Sequence, residues 1–214
     1  LIEEYSKKKG SFYSFYPMVG LWSESIGENS YSAAIDELVK TDPHKPIALY
    51  LHFPFCATQC LFCHCFTIIS KKDDDHSKIV DYLIKEIDLL KMLFEKKNFI
   101  PNIQEVHFGG GSPSNMSRKN FSRLFTAIKS MSPQSKLLEC ALEIDPRYNI
   151  DREQLHFYAD QGVSRISFGI QDFDKRIGKI INRINSADMI EELLDGDVRP
   201  RFKSINFDLI YGMP

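Results

Sequence analysis

Four of the five cysteines lie within ten residues, at Cys56, Cys60, Cys63 and Cys65, in the pattern C-x3-C-x2-C-x-C. Disulfides of secreted proteins usually spread along the chain, so this crowding predicts a reducing, cytoplasmic compartment and a metal site. A structural zinc site normally takes a second pair of ligands from another segment. An iron–sulfur cluster needs each thiolate to reach only one corner of a cube, which one short loop allows. The spacing therefore favours a cluster and leaves zinc as the alternative, while the remote Cys140 is predicted to be a buried core residue.

Glycines and acids follow two of the apolar segments. Gly109-Gly110-Gly111 comes after the second predicted strand, and Glu143 stands near the end of the third. Glycines let a ligand approach the backbone because no Cβ intervenes. A tight turn explains the same run of glycines equally well. The run is not a P-loop, because no lysine follows it. Glu143 indicates either a ligand contact or a strand-end ion pair. Because the carboxyl ends of parallel strands share one edge, these residues and the cysteine loop are predicted to meet there.

The elements that must bring these residues together alternate along the chain. Helical periodicity fills the gaps between strand-like segments, with candidate N-caps at Ser117, Asp151 and Ser186 and a helix end at Gly162. Gln154 completes a possible capping box with Asp151. Strands separated by helices predict an α/β fold with a parallel sheet. The five predicted strands are Ala48–Phe53, Ile103–Phe108, Cys140–Ile144, Arg165–Gln171 and Ile205–Tyr211.

The last two predicted strands carry polar residues on one face only. In the fourth strand Ser167, Gly169 and Gln171 alternate with apolar residues, and in the fifth Asn206 and Asp208 do so. Strands of a parallel sheet that are buried on both faces are usually apolar throughout. The alternation predicts either a polar cavity or a sheet face exposed to solvent, and polar groups near the strand ends favour the cavity.

The length and composition of the chain limit which classes of protein and which folds are possible. The chain has 214 residues, a formal charge of -2 and no apolar run of transmembrane length, which argues against a membrane helix and against a basic nucleic-acid surface. Residues 1–46, with an aromatic segment and an amphipathic helical pattern, are predicted to form an N-terminal extension, and residues 47–214 the main domain. The length is short for a complete eight-stranded barrel, which takes about 250 residues.

The cysteine segment Cys56-Ala57-Thr58-Gln59-Cys60-Leu61-Phe62-Cys63 resembles the signature of radical S-adenosylmethionine (SAM) enzymes, C-x3-C-x2-C with an aromatic residue before the third cysteine. Within that superfamily the chain is similar, over nearly its whole length, to the family of oxygen-independent coproporphyrinogen III oxidases, also called coproporphyrinogen dehydrogenases. Further matching segments are Tyr13-Ser14-Phe15-Tyr16-Pro17, Leu49-Tyr50-Leu51-His52-Phe53-Pro54-Phe55-Cys56, His107-Phe108-Gly109-Gly110-Gly111-Ser112-Pro113, Glu143-Ile144-Asp145-Pro146-Arg147, Ser167-Phe168-Gly169-Ile170-Gln171-Asp172-Phe173, Asn182-Arg183 and Asn206-Phe207-Asp208-Leu209-Ile210-Tyr211-Gly212-Met213-Pro214.

The resemblance implies a fold and a reaction. The fold is a partial (β/α)6 TIM-like barrel in residues 47–214, cut after its fifth strand, with the sixth strand and a C-terminal domain absent; such a fragment alone is expected to turn over substrate poorly. Cys56, Cys60 and Cys63 would hold three irons of a 4Fe–4S cluster, and the fourth iron would bind SAM. One electron would cleave SAM to methionine and a 5′-deoxyadenosyl radical, which takes hydrogen from a propionate of coproporphyrinogen III. Loss of CO2 and an electron leaves a vinyl group, and two such conversions give protoporphyrinogen IX for haem synthesis.

The resemblance also implies binding roles. The residues that match contacts to the cluster-bound SAM are Tyr50, Gly110 and Glu143, and Tyr50 joins the three cluster cysteines as catalytic. The residues that match positions around a second SAM are Phe62, Gly111, Ser112, Gln171, Arg183 and Asp208. A solvated helix charge is the alternative for Arg183, and a packing role is the alternative for Phe62. His52 either points into the cavity or is a satisfied core histidine, and the role of Cys65 is open.

The implied partners are coproporphyrinogen III and a low-potential electron donor of the flavodoxin or ferredoxin type. No nucleic acid or membrane partner is expected, and the chain is expected to be a cytoplasmic monomer. Two alternatives stay open: a haem-binding chaperone paralogue of the same superfamily, and a zinc-binding interaction module. Cys65 and the segment Tyr13-Ser14-Phe15-Tyr16-Pro17 argue against the chaperone, which typically lacks both. The chain departs from the family at Ser11-Phe12, where Pro-Arg is usual, and at His64, where glycine is common.

Overall fold

The computed structural model describes residues 21, 23 and 25–213 of the chain. The chain divides into two compact units, Leu1–Thr41 and Asp42–Pro214. In the first unit the predicted amphipathic pattern forms helix α1 (Glu28–Thr41). The segments at residues 11–17 that entered the sequence argument lie outside the described residues. The assignment of an extension before residue 47 and a barrel after it stays a prediction.

The second unit is built on a parallel sheet. Its strands are β1 (Pro46–Phe53), β2 (Phe55–Cys56), β3 (Ile68–Ile69), β4 (Asn102–Gly110), β5 (Glu139–Ile144), β6 (Arg165–Gln171) and β7 (Ser204–Leu209). Five of them form one parallel sheet in the order β1-β4-β5-β6-β7, and the short β2 and β3 pair with each other. The α/β fold and all five predicted strands are confirmed, with ends within two residues of the predictions. The last strand ends before Gly212, whose φ of 79° is incompatible with an extended strand.

The helices of this unit are α2 (Asp73–Lys96), α3 (Arg118–Met131), α4 (Arg152–Gln161), α5 (Lys175–Ile180) and α6 (Ala187–Leu194). The three predicted N-caps at Ser117, Asp151 and Ser186 are confirmed, since each side chain accepts a hydrogen bond from a backbone N–H of the first turn. The capping box of α4 is half formed, because Gln154 accepts from Arg118 Nε at 2.8 Å. The sequence does not predict α5, because six residues are too few to show an apolar repeat. Each described helix is too short or too polar to cross a lipid bilayer.

The apolar faces of the strands pack on the connecting helices. Ile166, Phe168 and Ile170 of β6 are fully buried, and the Phe108 ring of β4 lies 5.1 Å from the Phe121 ring of α3. Cys140 of β5 is 1% exposed, which confirms it as a core residue. The helices therefore cover one face of the sheet, and the polar residues of β6 lie on the other.

The outer strand β7 is less well covered. Phe207 stacks on Phe168 at a centroid distance of 6.0 Å, yet Phe207 and Leu209 remain 42% and 64% exposed. Asn206 and Asp208 alternate with them, and their side chains are joined by a hydrogen bond of 2.8 Å. The predicted two-faced pattern of this strand is thus present, but its apolar face is only partly buried.

Candidate active site

A cavity of about 280 Å³ lies at the carboxyl edge of the parallel strands, where the cysteine loop meets the ends of β4, β5 and β6. Ser167 and Gly169 form part of its wall, so the polar face of β6 faces a cavity, as predicted. Tyr50 and Ser112 lie outside the lining. Ten predicted site residues line it: Cys56, Cys60, Phe62, Cys63, Gly110, Gly111, Glu143, Gln171, Arg183 and Asp208.

The clustered cysteines differ in exposure. Cys60 is buried, Cys56 and Cys63 are half-buried, Cys65 is exposed, and all four are free thiols. Burial raises the pKa of Cys56 to about 12, and the charges of Asp145 and of the neighbouring sulfurs add to the shift. Metal ligation needs the deprotonated sulfur, so a metal ion bound at Cys56 would have to offset this shift.

The middle of the cysteine loop is anchored by the segment that follows α5. The Leu61 backbone N–H donates to the Ile181 carbonyl at 2.9 Å. The side-chain amide of Asn182 donates to the Gln59 carbonyl at 2.7 Å. Asn182 has φ 55°, in the left-handed region that asparagine tolerates. This turn therefore fixes the loop backbone on either side of Cys60.

Two arginines and one aspartate surround the Cys60 sulfur. Arg147 Nη2 donates to Sγ at 3.3 Å and Arg183 Nη1 donates at 3.4 Å. Both guanidinium groups also pair with Asp145 Oδ2, at 2.7 and 3.2 Å. The three charged side chains are only 9–10% exposed. Arg183 is therefore a buried ionic group, and the alternative of a solvated helix charge is wrong.

Asp145 and Arg147 have no predicted role of their own. A signal was present, since the carboxylate and the guanidinium stand two residues apart directly after the buried strand β5. Burial alone would lower the pKa of Arg147. The hydrogen bonds and charge of Asp145, followed by the charge of the Cys60 sulfur, outweigh burial, so the pKa of Arg147 is raised. Arg147 therefore stays cationic beside the sulfur.

Glu143 combines the two alternatives offered for it. Its Oε1 lies 3.0 Å from His107 Nε2, and its Oε2 accepts from the Gly110 backbone N–H at 3.2 Å. The same carboxylate lines the cavity and is 39% exposed. It is both a strand-end partner of a histidine and an acceptor facing the cavity.

Tyr50 lies on β1, close to Glu143. Its hydroxyl is 3.1 Å from His52 Nδ1, and its ring stacks on His107 at 5.7 Å. Burial, then the charges of Glu143 and Cys65, raise the pKa of Tyr50. His52 Nε2 lies 2.9 Å from a backbone carbonyl, that of Phe66. Both ring nitrogens of His52 thus have partners, and it is a satisfied histidine that links Tyr50 to the end of the cysteine loop.

The glycine run is required by packing within the site. A Cβ on Gly109 would lie 2.8 Å from the Tyr50 ring and 2.9 Å from Glu143 Oε1, and one on Gly111 would lie 2.8 Å from the Pro54 carbonyl oxygen. Gly110 has φ 120°, which strains any other residue. The run therefore lets β4 pass close to the chain before the cysteines, and it presents Gly110 and Gly111 to the cavity.

The predicted residues of the second SAM position are not all equivalent. Phe62, Gln171 and Asp208 line the cavity, and Gln171 has a positive φ of 71°. Ser112 is 2% exposed, and its hydroxyl lies 3.2 Å from Ser114 Oγ. Arg183 lines the cavity, but its guanidinium also donates to the Gly169 carbonyl at 2.8 Å. Five of these six residues therefore line the cavity, and Ser112 is buried outside its lining.

Within residues 21, 23 and 25–213, no group of three or more histidine, cysteine, aspartate or glutamate side chains is placed to hold a metal ion. The donors nevertheless suit a thiolate-ligated cluster, because three predicted ligand cysteines line one cavity. Cys60 Sγ accepts hydrogen bonds from two guanidinium groups, an environment that stabilises an anionic sulfur. The residues present therefore fit such a group.

Comparison with known proteins agrees with this arrangement. Residues 50–214 match the Radical SAM superfamily. The oxygen-independent coproporphyrinogen III oxidase of Helicobacter pylori (strain ATCC 700392 / 26695) is 35% identical over 212 residues, which are 99% of this chain and 45% of that protein. The enzyme of the same name from Escherichia coli (strain K12) is 32% identical over 214 residues, which are 100% of this chain and 45% of that protein.

A solved structure gives the same result. Coproporphyrinogen III oxidase (HemN) from Escherichia coli, described as a Radical SAM enzyme, matches with a TM-score of 0.82 at 32% identity, covering 95% of this chain and 45% of that chain. The present chain thus spans less than half the length of these relatives. Since the superfamily match takes in all five strands of the sheet except the first residues of β1, the chain belongs to the Radical SAM superfamily.

Proposed function

We propose that this chain carries the cluster-binding and SAM-binding part of an oxygen-independent coproporphyrinogen III oxidase. Membership of the Radical SAM superfamily implies a 4Fe–4S cluster and SAM as cofactors. The observation that carries the proposal is the cavity, in which the cysteine loop meets the Glu143 carboxylate and the Arg183 guanidinium. Identity of 32–35% over the whole chain to enzymes of that name supports the choice within the superfamily.

In this proposal Cys56, Cys60 and Cys63 hold the cluster. When bound, the cluster and SAM together supply one-electron cleavage of SAM and so the abstraction of a hydrogen atom. Glu143 accepts hydrogen bonds from SAM, while its bonds to His107 and Gly110 keep the carboxylate oriented. Tyr50 does not line the cavity, but its ring and Glu143 Oε1 would both lie within 2.9 Å of a Cβ on Gly109, so we assign its contribution to the position of Glu143.

A second SAM is proposed in the same cavity. Phe62 and Gly111 provide apolar and backbone surface there, and Gln171, Arg183 and Asp208 provide polar groups. Arg183 is already bound to the Gly169 carbonyl and to Asp145, so it meets a ligand carboxylate only by exchanging one of these partners. Ser112 is buried behind the cavity wall, and its backbone N–H donates to the Phe55 carbonyl at 2.9 Å, so we assign it to the support of the wall.

The proposed reaction converts two propionates of coproporphyrinogen III into vinyl groups. In each conversion one hydrogen atom leaves the carbon next to the ring, the carboxylate leaves as CO2, one electron passes to a one-electron acceptor, and a carbon–carbon double bond forms. The product is protoporphyrinogen IX. We further propose that a low-potential donor of the flavodoxin or ferredoxin type supplies the electron for SAM cleavage, and that the protein acts as a cytoplasmic monomer.

Anaerobic reconstitution with iron and sulfide tests the proposal. The chain is expected to take up a 4Fe–4S cluster and to form 5′-deoxyadenosine from SAM, at a rate that responds to coproporphyrinogen III. Cys60→Ala is expected to abolish both cluster and 5′-deoxyadenosine, whereas Cys140→Ala, at a core position outside the cavity, is expected to keep both. If the Cys60→Ala variant still cleaved SAM, the proposed function would be refuted. Tightly bound zinc in place of iron would favour the zinc module, and tight haem binding without SAM cleavage would favour the chaperone.

A further inference from the structure

Arg147 has no role in the proposed function, yet every nitrogen of its guanidinium group is bound. Nε donates to Asp145 Oδ1 at 2.9 Å and Nη2 donates to Oδ2 at 2.7 Å, a bidentate pair. Nη2 also donates to Cys60 Sγ at 3.3 Å, and Nη1 donates to the Asn182 carbonyl at 2.9 Å. A bidentate pair fixes the plane of an arginine, so the direction of its remaining N–H groups is fixed as well.

These contacts tie Arg147 to the cysteine loop at two points. One is the direct contact with the Cys60 sulfur. The other runs through Asn182, whose carbonyl accepts from Arg147 and whose side-chain amide donates to the Gln59 carbonyl, next to Cys60. The Arg147 side chain is 10% exposed, so little water competes for these contacts. A buried cation is costly unless it is well paired, and here the pairing is directed at one predicted cluster ligand.

We propose that Arg147 is a positioning residue for the iron–sulfur cluster, holding the Cys60 sulfur in place and raising the reduction potential of the cluster. The inference rests on the proposed function, in which Cys60 is a cluster ligand. Reduction adds negative charge to a cluster, and a cationic N–H donor on a ligand sulfur stabilises that charge. Removing the guanidinium therefore makes the cluster harder to reduce, even where the cluster still assembles.

The test is a potentiometric titration, followed by electron paramagnetic resonance, of the anaerobically reconstituted chain and two variants. Arg147→Gln removes the charge and the donor to sulfur. At a fixed potential we expect at least a tenfold fall in the ratio of reduced to oxidised cluster, which is a shift of about 59 mV to lower potential. Arg147→Lys keeps a cation for Asp145 but loses the fixed N–H on the sulfur, and a smaller fall of at least twofold is expected. Arg123→Gln, which removes a guanidinium paired with Asp81 on the helices, is the matched control and is expected to leave the potential unchanged.

The outcomes separate the two proposals. A wild-type chain that assembles no 4Fe–4S cluster overturns the proposed function and this inference with it. A wild-type cluster whose potential is unchanged in Arg147→Gln overturns the inference alone. If Arg147→Gln fails to fold or to assemble a cluster, Arg147→Lys decides, and a wild-type potential in that variant overturns the inference. Cluster content per chain and urea unfolding are measured in parallel, because a purely structural role would lower both without moving the potential.

Discussion

Replacing Asp145 with asparagine is expected to destabilise the chain strongly. The Asp145 carboxylate pairs with Arg147 at 2.7 Å and with Arg183 at 3.2 Å, and all three side chains are 9–10% exposed. Asparagine keeps the shape of the side chain but removes its negative charge. Two guanidinium groups would then share a buried site without a carboxylate.

The size of the effect follows from the burial of these charges. Removing one partner of a buried ion pair costs about 3–5 kcal/mol, because an unpaired charge stays behind. Asp145 serves two arginines, which argues for the upper part of this range. It also lines the cavity, so water that enters there solvates the arginines and lowers the cost. We therefore expect the free energy of unfolding to fall by about 3 kcal/mol.

Urea unfolding of the reduced chain at neutral pH, followed by circular dichroism, measures this loss. Asp197→Asn is the matched control, because Asp197 also pairs with two basic residues, Arg152 at 2.7 Å and His156 at 3.4 Å, but is 73% exposed. Exposed pairs contribute about 0–1 kcal/mol, so the control is expected to lose no more than that. A loss below about 1 kcal/mol in Asp145→Asn, or one equal to the control, would refute the reasoning, since the buried arginines would then not depend on this carboxylate.

Two further predictions concern packing. Gly111→Ala is expected to lower the free energy of unfolding by about 1–3 kcal/mol, because its Cβ would lie 2.8 and 2.9 Å from two backbone carbonyl oxygens. Urea unfolding checks this against Gly27→Ala, where nothing lies within 4 Å, and equal effects would contradict it. Burial raises the pKa of Cys140 from 9.0 to about 12, so at pH 8 it carries roughly a thousandfold less thiolate than an ordinary thiol. Iodoacetamide should therefore modify Cys140 on the order of a thousandfold more slowly in the native chain than in urea. Similar rates, read by mass spectrometry, would show that the core around it opens.

The strands and helix caps could be predicted because their causes are local. The alternation in β6 and the apolar repeat of α3 are readable within a dozen residues, and a cap such as Asp151 acts on the first turn of its own helix. The cysteine loop and the glycine run also stand out by composition alone. The parallel order of the strands then requires that these segments meet at one edge, and ten of twelve predicted site residues do line one cavity.

The charged network could not be predicted in the same way, because its members are far apart in the chain. Cys60 and Arg147 are separated by 87 positions, and Cys60 and Arg183 by 123. The residues next to Arg183 in the sequence do not indicate that it is buried. A solvent-exposed arginine on a helix could have the same neighbours. The position of Ser112 is a similar case, since Gly111 beside it reaches the cavity while the serine turns into the protein.

Arg147 and Arg183 contact the same sulfur, but the structure gives them different surroundings. Arg183 lies on the cavity wall beside Gly169. A Cβ added to Gly169 would lie 2.6 Å from Arg183 Nη2. Arg147 does not line the cavity, and its other donors are bound to Asp145 and Asn182. In the proposed function a ligand in the cavity would meet Arg183, whereas Arg147 would keep its bonds to the protein. On this proposal the Cys60 sulfur would keep Arg147 as a cationic donor when a ligand engages Arg183, which a single shared arginine would not provide.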